Sequence, residues 1–431
     1  MSNQIQPVRG MNDVLAGDIA VWQFVERAAT ELLTAYGYEE MRVPVLEQTQ
    51  LFKRAIGEFT DVVEKEMYTF TDTGGDSLTL RPEATAGMVR AAISNGLLRG
   101  ARLKVWCIGP MFRHEKPQKG RYRQFHQVDV EAIGFAGPDV DIELIALTAR
   151  LWRKLGVGRV KLQINSLGTV ESRRAYRELL QEYFRAHRGE LDVDSLRRLE
   201  GNPLRILDSK NADMQALIAA APLLTEHLDA ESAEHFAALR AGLDALAIPY
   251  AVNPRLVRGL DYYSRTVFEW TTDALGSQDA VCSGGRYDGL ISQLGGDATP
   301  AIGFAMGVER VVELVRQVGT ASAARPPDIY VIAQGDVALR AALVAAEQLR
   351  EALPQRVVHV NLGGGNFKAQ FRRADKSGAS FALVIGDEEI ARGMASWKAL
   401  RGESPQRQLD LNDLPAQVEA AVRDQSAALT N

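Results

Sequence analysis

The 431-residue sequence predicts an α+β protein built in two parts. Three observations carry that expectation. Short strand-like runs joined by hairpin-length turns fill most of the chain before residue 320, which argues an antiparallel sheet. A stretch from about 166 to 248, rich in Glu, Arg, Ala and Leu with helical periodicity, interrupts them and reads as an inserted helical module. Beyond a small, Pro-bearing linker, Gly319–Asp328, strand and helix patterns alternate as βαβαβ, the sign of a compact α/β domain on a parallel sheet. The expected boundaries are 1–320 for the first domain, 319–328 for the linker and 328–431 for the second domain.

The elements follow in order. Residues Asp18–Tyr36 place Trp22, Val25, Ala29, Leu32, Leu33 and Tyr36 on one helical face, with Gly37 to end the helix. The run EEMRVPVLE is strand-like, with Pro44 marking an edge or bulge. MYTFTD, SLTLRPE, KVWCIG and QVDVEAIGF are further strands, and Asp139–Lys154 is a helix that buries Ile142, Ile145, Ala149 and Trp152. Past the helical module, VFEWTT, AVCSGGRYDGLI and TPAIGFAMG resume strand character, so the sheet is broken in sequence and continuous in space. In the second domain DIYVIAQ, RVVHVNL and FALVIGD are strands, separated by helices near Val337–Leu353 and Phe367–Ser377.

Composition narrows the function classes. A 46% hydrophobic, 24% charged chain of net charge −5 is an ordinary globular protein, and any nucleic-acid contact must be local. No apolar run reaches about 18 residues, and MSNQIQPVRG lacks a signal-peptide core, so a cytoplasmic location and no membrane partner are expected. Cys107 and Cys282 lie in apolar contexts and read as core thiols. His114 and His126 are too far apart, without clustered Cys or carboxylates, to suggest zinc. His187, His227, His235 and His359 read as surface or interface residues. No Ser/His/Asp arrangement, P-loop or strand-following GxGxxG is present, so covalent catalysis by a protein nucleophile is not expected.

Five segments carry chemistry. Between Phe112 and Phe125, Arg113, Lys116, Lys119, Arg121 and Arg123 face one acid, Glu115, with Tyr122 and Phe125 interleaved. Guanidinium groups bind phosphate bidentately and rings stack on bases, so this hairpin suits a nucleotide or nucleic acid. In TPAIGFAMGVER, Gly303 and Gly307 let a flat ligand approach the backbone, and Arg310 falls in the first turn of a helix, where anions are favoured. A plain strand–helix junction is the bland alternative. RLVRGLDYYSRTVFEW sets Arg258 and then Asp261, Tyr262 and Tyr263 before a strand; a hydrophobic turn with a surface arginine would look the same. CSGGRYDGL is a substrate-covering loop or a tight hairpin, the hairpin being the default for Gly-Gly. In LRPEATAG, Glu83 and Thr85 start a helix, as a cap or as acceptors for an ammonium ligand.

The order of these strings resembles the three signature motifs of class II aminoacyl-tRNA synthetases. LVRGLDYYSRTVFEW and GGRYDGL are similar to the two histidine-specific motifs of the histidyl-tRNA synthetases, and the likeness runs from MNDVL to the final helix. The resemblance implies a class II catalytic domain, an anticodon-binding domain after the linker, and ligation of L-histidine to tRNA(His) through a histidyl-adenylate. It implies Arg113 at the ATP α-phosphate and the substrate carboxylate, with Arg258 also there. Arg121 and Arg310 would hold the outer phosphates, and Phe125 would stack on adenine. Glu83 and Gln127 would take the α-amino group beside Thr85, Glu131 and Tyr263 the ring nitrogens, with Tyr262 and Tyr287 enclosing them. Lys116 and Gln118 would meet the tRNA acceptor end. Mg2+ accompanying ATP, no protein-ligated structural metal, and a homodimer formed around Pro44 are further implications. Two other memberships fit such a scaffold: a non-catalytic regulatory subunit of ATP phosphoribosyltransferase, and a class II ligase for glycine or proline. Arg113, Arg258, Arg310 and the full final domain weigh against the first; the paired histidine strings and Glu131 weigh against the second.

Overall fold

The computed structural model describes residues 5–428 apart from 59, 101, 119, 202, 208, 210, 261, 276–279, 320–324 and 402–404, with the backbone alone for 170 and 425–428. Lys119, Asp261 and half of the linker therefore lie outside the described residues. Two compact units are present, Met1–Ala323 and Ala324–Asn431.

The first unit opens with α1 (Ala16–Ala35), β1 (Glu39–Glu40), β2 (Leu46–Gln48), α2 (Thr49–Ile56), β3 (Tyr68–Thr71), β4 (Ser77–Leu80) and α3 (Thr85–Ser94). A long hairpin of β5 (Leu103–Phe112) and β6 (Gln124–Ile133) leads to α4 (Asp139–Leu155) and β7 (Lys161–Ser166). The inserted module holds α5 (Val170–Ala186), α6 (Val193–Gly201), α7 (Gln215–Ala220) and α8 (Ala230–Ala245). The sheet then resumes with β8 (Tyr250–Val252), β9 (Ser264–Thr271), β10 (Ala280–Arg286), α9 (Leu290–Gln293), β11 (Ala301–Gly307) and α10 (Val308–Val318).

Eight strands form one sheet in the order β1-β5-β6-β11-β10-β9-β7-β8, and β2-β4-β3 form a small antiparallel one. The central pairs of the large sheet are antiparallel, whereas β1 on β5 and β8 on β7 are parallel. Parallel neighbours need a long crossover. The helical module supplies it between β7 and β8. EEMRVPVLE divides into β1 and β2 with no strand across Met41–Val45, since Pro44 has no N–H to give a ladder.

Strand pleating sorts β6 by face. Val128, Val130 and Ala132 enter a core with Trp22, Leu33, Leu144 and Val311 from α1, α4 and α10. Gln127, Asp129 and Glu131 turn to the other face. Each aliphatic side chain fully buried there adds about 1.5–3 kcal/mol. That is how one strand can be core on one side and polar on the other.

The Gly-Gly pair does not form a hairpin turn. Gly284 and Gly285 lie inside β10, paired with Phe304 and Gly303 of β11. A Cβ at Gly284 would collide with the Gly303 carbonyl and Phe304, so the glycines mark close strand approach.

The module is stitched at its start by Asp229. Its carboxylate accepts from Thr169 Oγ1 (3.1 Å), Ser172 Oγ (3.0 Å) and Ser232 N (2.8 Å), joining the N-termini of α5 and α8. His235 of α8 is not a surface residue. It bonds Asp141 Oδ2 at 2.7 Å, and Arg286 reaches the same carboxylate at 2.8 Å; the Asp141 and Arg286 side chains are both 0% exposed. Burial alone would raise the Asp141 carboxyl, but the His235 hydrogen bond and the Arg286 charge outweigh it and hold it below the usual range. Arg286→Met would strand that carboxylate, and a loss of about 3–5 kcal/mol is expected in denaturant unfolding of the first unit. A group with a lowered folded pKa stabilises above its unfolded value. The Asp141 contribution should therefore be complete above about pH 4 and vanish as pH falls further.

The second unit runs β12 (Ile329–Ala333), α11 (Asp336–Ala352), β13 (Val358–Val360), α12 (Phe367–Lys376), β14 (Phe381–Ile385), α13 (Asp387–Ala391), β15 (Met394–Ala399), β16 (Arg407–Asp410) and α14 (Leu414–Ala428). Its strand order is β13-β12-β14-β15-β16. The first three strands are parallel as expected, while β15 and β16 extend the sheet antiparallel, making it mixed. No helix among the described residues is long and apolar enough to cross a membrane.

Candidate active site

A cavity of ≈ 430 Å3 opens on the polar face of the large sheet, a size typical of small-molecule sites. Its floor comes from β6 and β11. Gly303 sits opposite Glu131 in the β6/β11 register, and a Cβ there would run into the Glu131 carboxylate. Glycine at 303 is thus what leaves Glu131 room to stand up from the floor.

Glu131 is completely buried and held by two hydroxyls. Thr85 Oγ1 donates to Oε1 at 2.6 Å, and the Tyr287 hydroxyl donates to Oε2. Burial raises its carboxyl well above the usual range, those two hydrogen bonds oppose the rise, and nearby Asp129 and Glu83 add to it. Tyr262 packs beside this end, 4.7 Å from Tyr263 and 5.7 Å from Tyr287 between ring centroids. Glu83 accepts the Ala86 amide at 3.1 Å at the start of α3. The cap is therefore real, and the carboxylate still lines the cavity.

The other end is cationic. Arg113, at the end of β5, donates from Nε to the Pro82 carbonyl at 2.8 Å, and its guanidinium lies 5.3 Å from the Phe125 ring centroid. Arg121 pairs through Nε with Glu115 at 2.5 Å. Arg258 forms an ion pair with Glu269, which β9 fixes in place. Arg310 reaches the cavity from the first turn of α10, whose N-terminal dipole adds positive potential. Arginines converging here, opposite an acid gripped by hydroxyls, give one cavity two chemically distinct ends. A polyanion suits the first, and a donor-bearing ring suits the second.

A family model for histidyl-tRNA synthetase matches residues 10–311, and one for an anticodon binding domain matches residues 328–421. The chain belongs to the histidyl-tRNA synthetase family. Apo histidyl-tRNA synthetase of Staphylococcus aureus is 35% identical over 96% of this chain and 99% of that one, with a TM-score of 0.81. Histidyl-tRNA synthetase from Nostoc sp. PCC 7120 shares the fold at 18% identity, covering 97% of this chain and 100% of that one, with a TM-score of 0.66. So does an ATP phosphoribosyltransferase regulatory subunit/histidyl-tRNA synthetase from Bacillus halodurans, at 22% identity, 90% and 99% coverage and a TM-score of 0.64.

For this histidyl-tRNA synthetase family member, the cavity brings together Glu83, Thr85, Arg113, Arg121, Phe125, Gln127, Arg258, Tyr262, Tyr263, Tyr287 and Arg310. Glu131 joins them through Thr85 and Tyr287. Lys116 and Gln118 do not line it: both are exposed on the hairpin loop, where Gln118 pairs with Arg121 in a two-residue bridge. Four contributors escaped the sequence reading. Glu269 stands in the same string as Arg258, 11 residues on, with nothing there to mark it as the partner, and Arg205 comes from the inserted module to donate to the Gly259 carbonyl at 3.4 Å. Glu309 accepts the His126 amide at 2.9 Å from α10. Asp129 was visible, since it alternates with Gln127 and Glu131 on one strand face.

Proposed function

We propose that the protein ligates L-histidine to tRNA(His) in two steps, activating histidine with ATP and then transferring it to the tRNA. The observation that carries this reading is the two-ended cavity, with Glu131 braced by Thr85 and Tyr287 at one end and Arg113, Arg121, Arg258 and Arg310 at the other.

In the first step the histidine carboxylate attacks the α-phosphorus in line and pyrophosphate leaves. Arg113 and Arg258 flank the phosphoryl group and supply fixed positive charge as the pentacoordinate centre forms, so positioning and electrostatics carry the step. Glu269 orients Arg258. Arg121 and Arg310 take the outer phosphates of ATP, which arrives as its Mg2+ complex, the ion held mainly by the phosphates themselves. Phe125, against which Arg113 already rests, provides the stacking face for adenine. In the second step the 3′-terminal hydroxyl of the tRNA attacks the adenylate carbonyl and AMP leaves, with Lys116 and Gln118 on the exposed loop meeting the acceptor end.

Specificity follows from Glu131 and Tyr263, which accept from and donate to the two ring nitrogens. An apolar side chain of the same shape leaves them unpaired, a penalty on the order of 10⁴-fold in discrimination. The second unit would bind the anticodon. The protein would act in the cytoplasm as a homodimer through the segment around Pro44, where Val45, Leu46 and Phe70 are exposed.

ATP–pyrophosphate exchange measured with each amino acid in turn tests the whole reading. Histidine alone should support it. Exchange driven better by glycine or proline would sink the specificity, and none with any amino acid would favour a regulatory relative.

A further inference from the structure

Asp129 has no task in the scheme above, yet its setting demands one. It stands on β6 between Gln127 and Glu131, so the pleat turns all three toward the cavity, which Asp129 lines. The residue is 0% exposed, and neither carboxylate oxygen is hydrogen-bonded by a side chain among the described residues, which leaves the Ala84 backbone amide as the donor beside it. The side-chain oxygen of Gln127 is buried without a partner as well. Burying an acid in that state costs several kcal/mol unless something donates to it.

The charged groups around it are accounted for otherwise. Arg81 donates to the Pro110 and Val43 carbonyls at 2.9 and 3.0 Å, and Arg113 donates to Pro82. Glu131 has its two hydroxyls and Glu83 its amide. Burial first, and then the Glu83 charge, push the Asp129 carboxyl well above the usual range, while Arg81, Arg113 and the Ala84 amide pull it back. Both β-sheet neighbours of Asp129, Cys107 and Ala305, lack a side chain that could neutralise it.

Two buried acceptors two residues apart that no side chain satisfies, beside a third acid, define a small space ringed by oxygens. A primary ammonium brings three N–H donors and one positive charge. Number and sign match.

We propose that Asp129 joins Gln127 and Glu83 in a three-acceptor cup for the α-ammonium group of the amino-acid substrate, Asp129 providing buried charge that selects for it. This rests on the amino-acid-activating function proposed above. A proton shared between Asp129 and Glu83, with no ligand contact, is the competing explanation.

Calorimetric titration of wild type and Asp129→Asn with three probes separates them: histidine, histidinol, which keeps the ammonium but has no carboxylate, and imidazolepropionate, which keeps the carboxylate but has no ammonium. The variant should bind histidine and histidinol about 10- to 100-fold more weakly and imidazolepropionate within about twofold of wild type. Equal losses on all three, or no loss, would overturn the cup. Should the variant not fold, the wild type carries the test. Nα-methylhistidine has one N–H donor fewer and should bind about tenfold more weakly; unchanged affinity would overturn the proposal. Wild-type exchange with histidine is run alongside. Its absence defeats the activation reading, whereas its presence with an Asp129→Asn that weakens all three probes equally, or none of them, defeats only the cup.

Discussion

Arg258→Ala is expected to slow histidine-dependent ATP–pyrophosphate exchange about 10²- to 10³-fold, with circular dichroism and melting temperature near those of wild type. The size follows from where the charge sits. A guanidinium fixed by Glu269 before substrate arrives needs no reorganisation as negative charge builds on the phosphoryl oxygens. Removing one such donor from a site sheltered from water costs about 2.7–4 kcal/mol of transition-state stabilisation. The fold should tolerate the loss because the Glu269 side chain is 15% exposed and can be hydrated through the emptied space. Glu269→Gln keeps the cation but loosens its mooring, so a smaller drop, about tenfold, is expected there. Near-normal exchange by Arg258→Ala would remove this residue from the chemistry.

Glu131→Gln should cost more in selectivity than in rate. Its expected effect is a fall in kcat/KM for histidine of about 10³-fold or more, with the KM for ATP unchanged. The carboxylate can accept from Thr85, Tyr287 and a ring N–H together, whereas an amide presents one acceptor atom and two donors in the same space. A pH signature accompanies this. Because burial raises the Glu131 carboxyl, wild-type affinity for histidine should decline as pH is lowered through that raised value, by about tenfold per unit once protonation dominates. Glu131→Gln should lack that part of the decline. A variant with wild-type affinity and an unaltered pH profile would show that the ring is read elsewhere.

Much of the large sheet could be read from sequence because its strands are long enough to display a period. In QVDVEAIGF, alternation separates Val128 and Val130 from Gln127, Asp129 and Glu131, and the structure keeps that division. The parallel edges were not legible. β1 and β8 are two and three residues long, too short to carry a pattern, and their direction is set by where α1 and the helical module return the chain. Gly284 and Gly285 misled for a local reason: a Gly-Gly pair looks the same in a turn as in a strand pressed against another backbone, and only the facing Gly303 distinguishes them. His235 misled likewise. Its neighbours on α8 are polar enough for a surface, and what buries it is Asp141, 94 positions away. In the site, residues inside long motifs were legible by type and order. Glu269 shares a string with Arg258, but the string does not say that the two pair; Arg205 lies 54 positions from its partner Gly259 and nothing beside it marks the contact.

The Asp141–Arg286–His235 cluster joins three separately encoded parts of the chain, and it sits one residue before Tyr287. The helical module is therefore no detachable cassette. Exchanging it for the equivalent stretch of a relative, or trimming it to make a minimal form, withdraws His235 and opens a buried ion pair beside a wall of the candidate site. A chimera has to bring its own imidazole to that spot or replace all three residues at once with apolar ones. Swaps that respect neither condition should first lose grip on Tyr287, and through it on Glu131, before any helix of the graft itself fails.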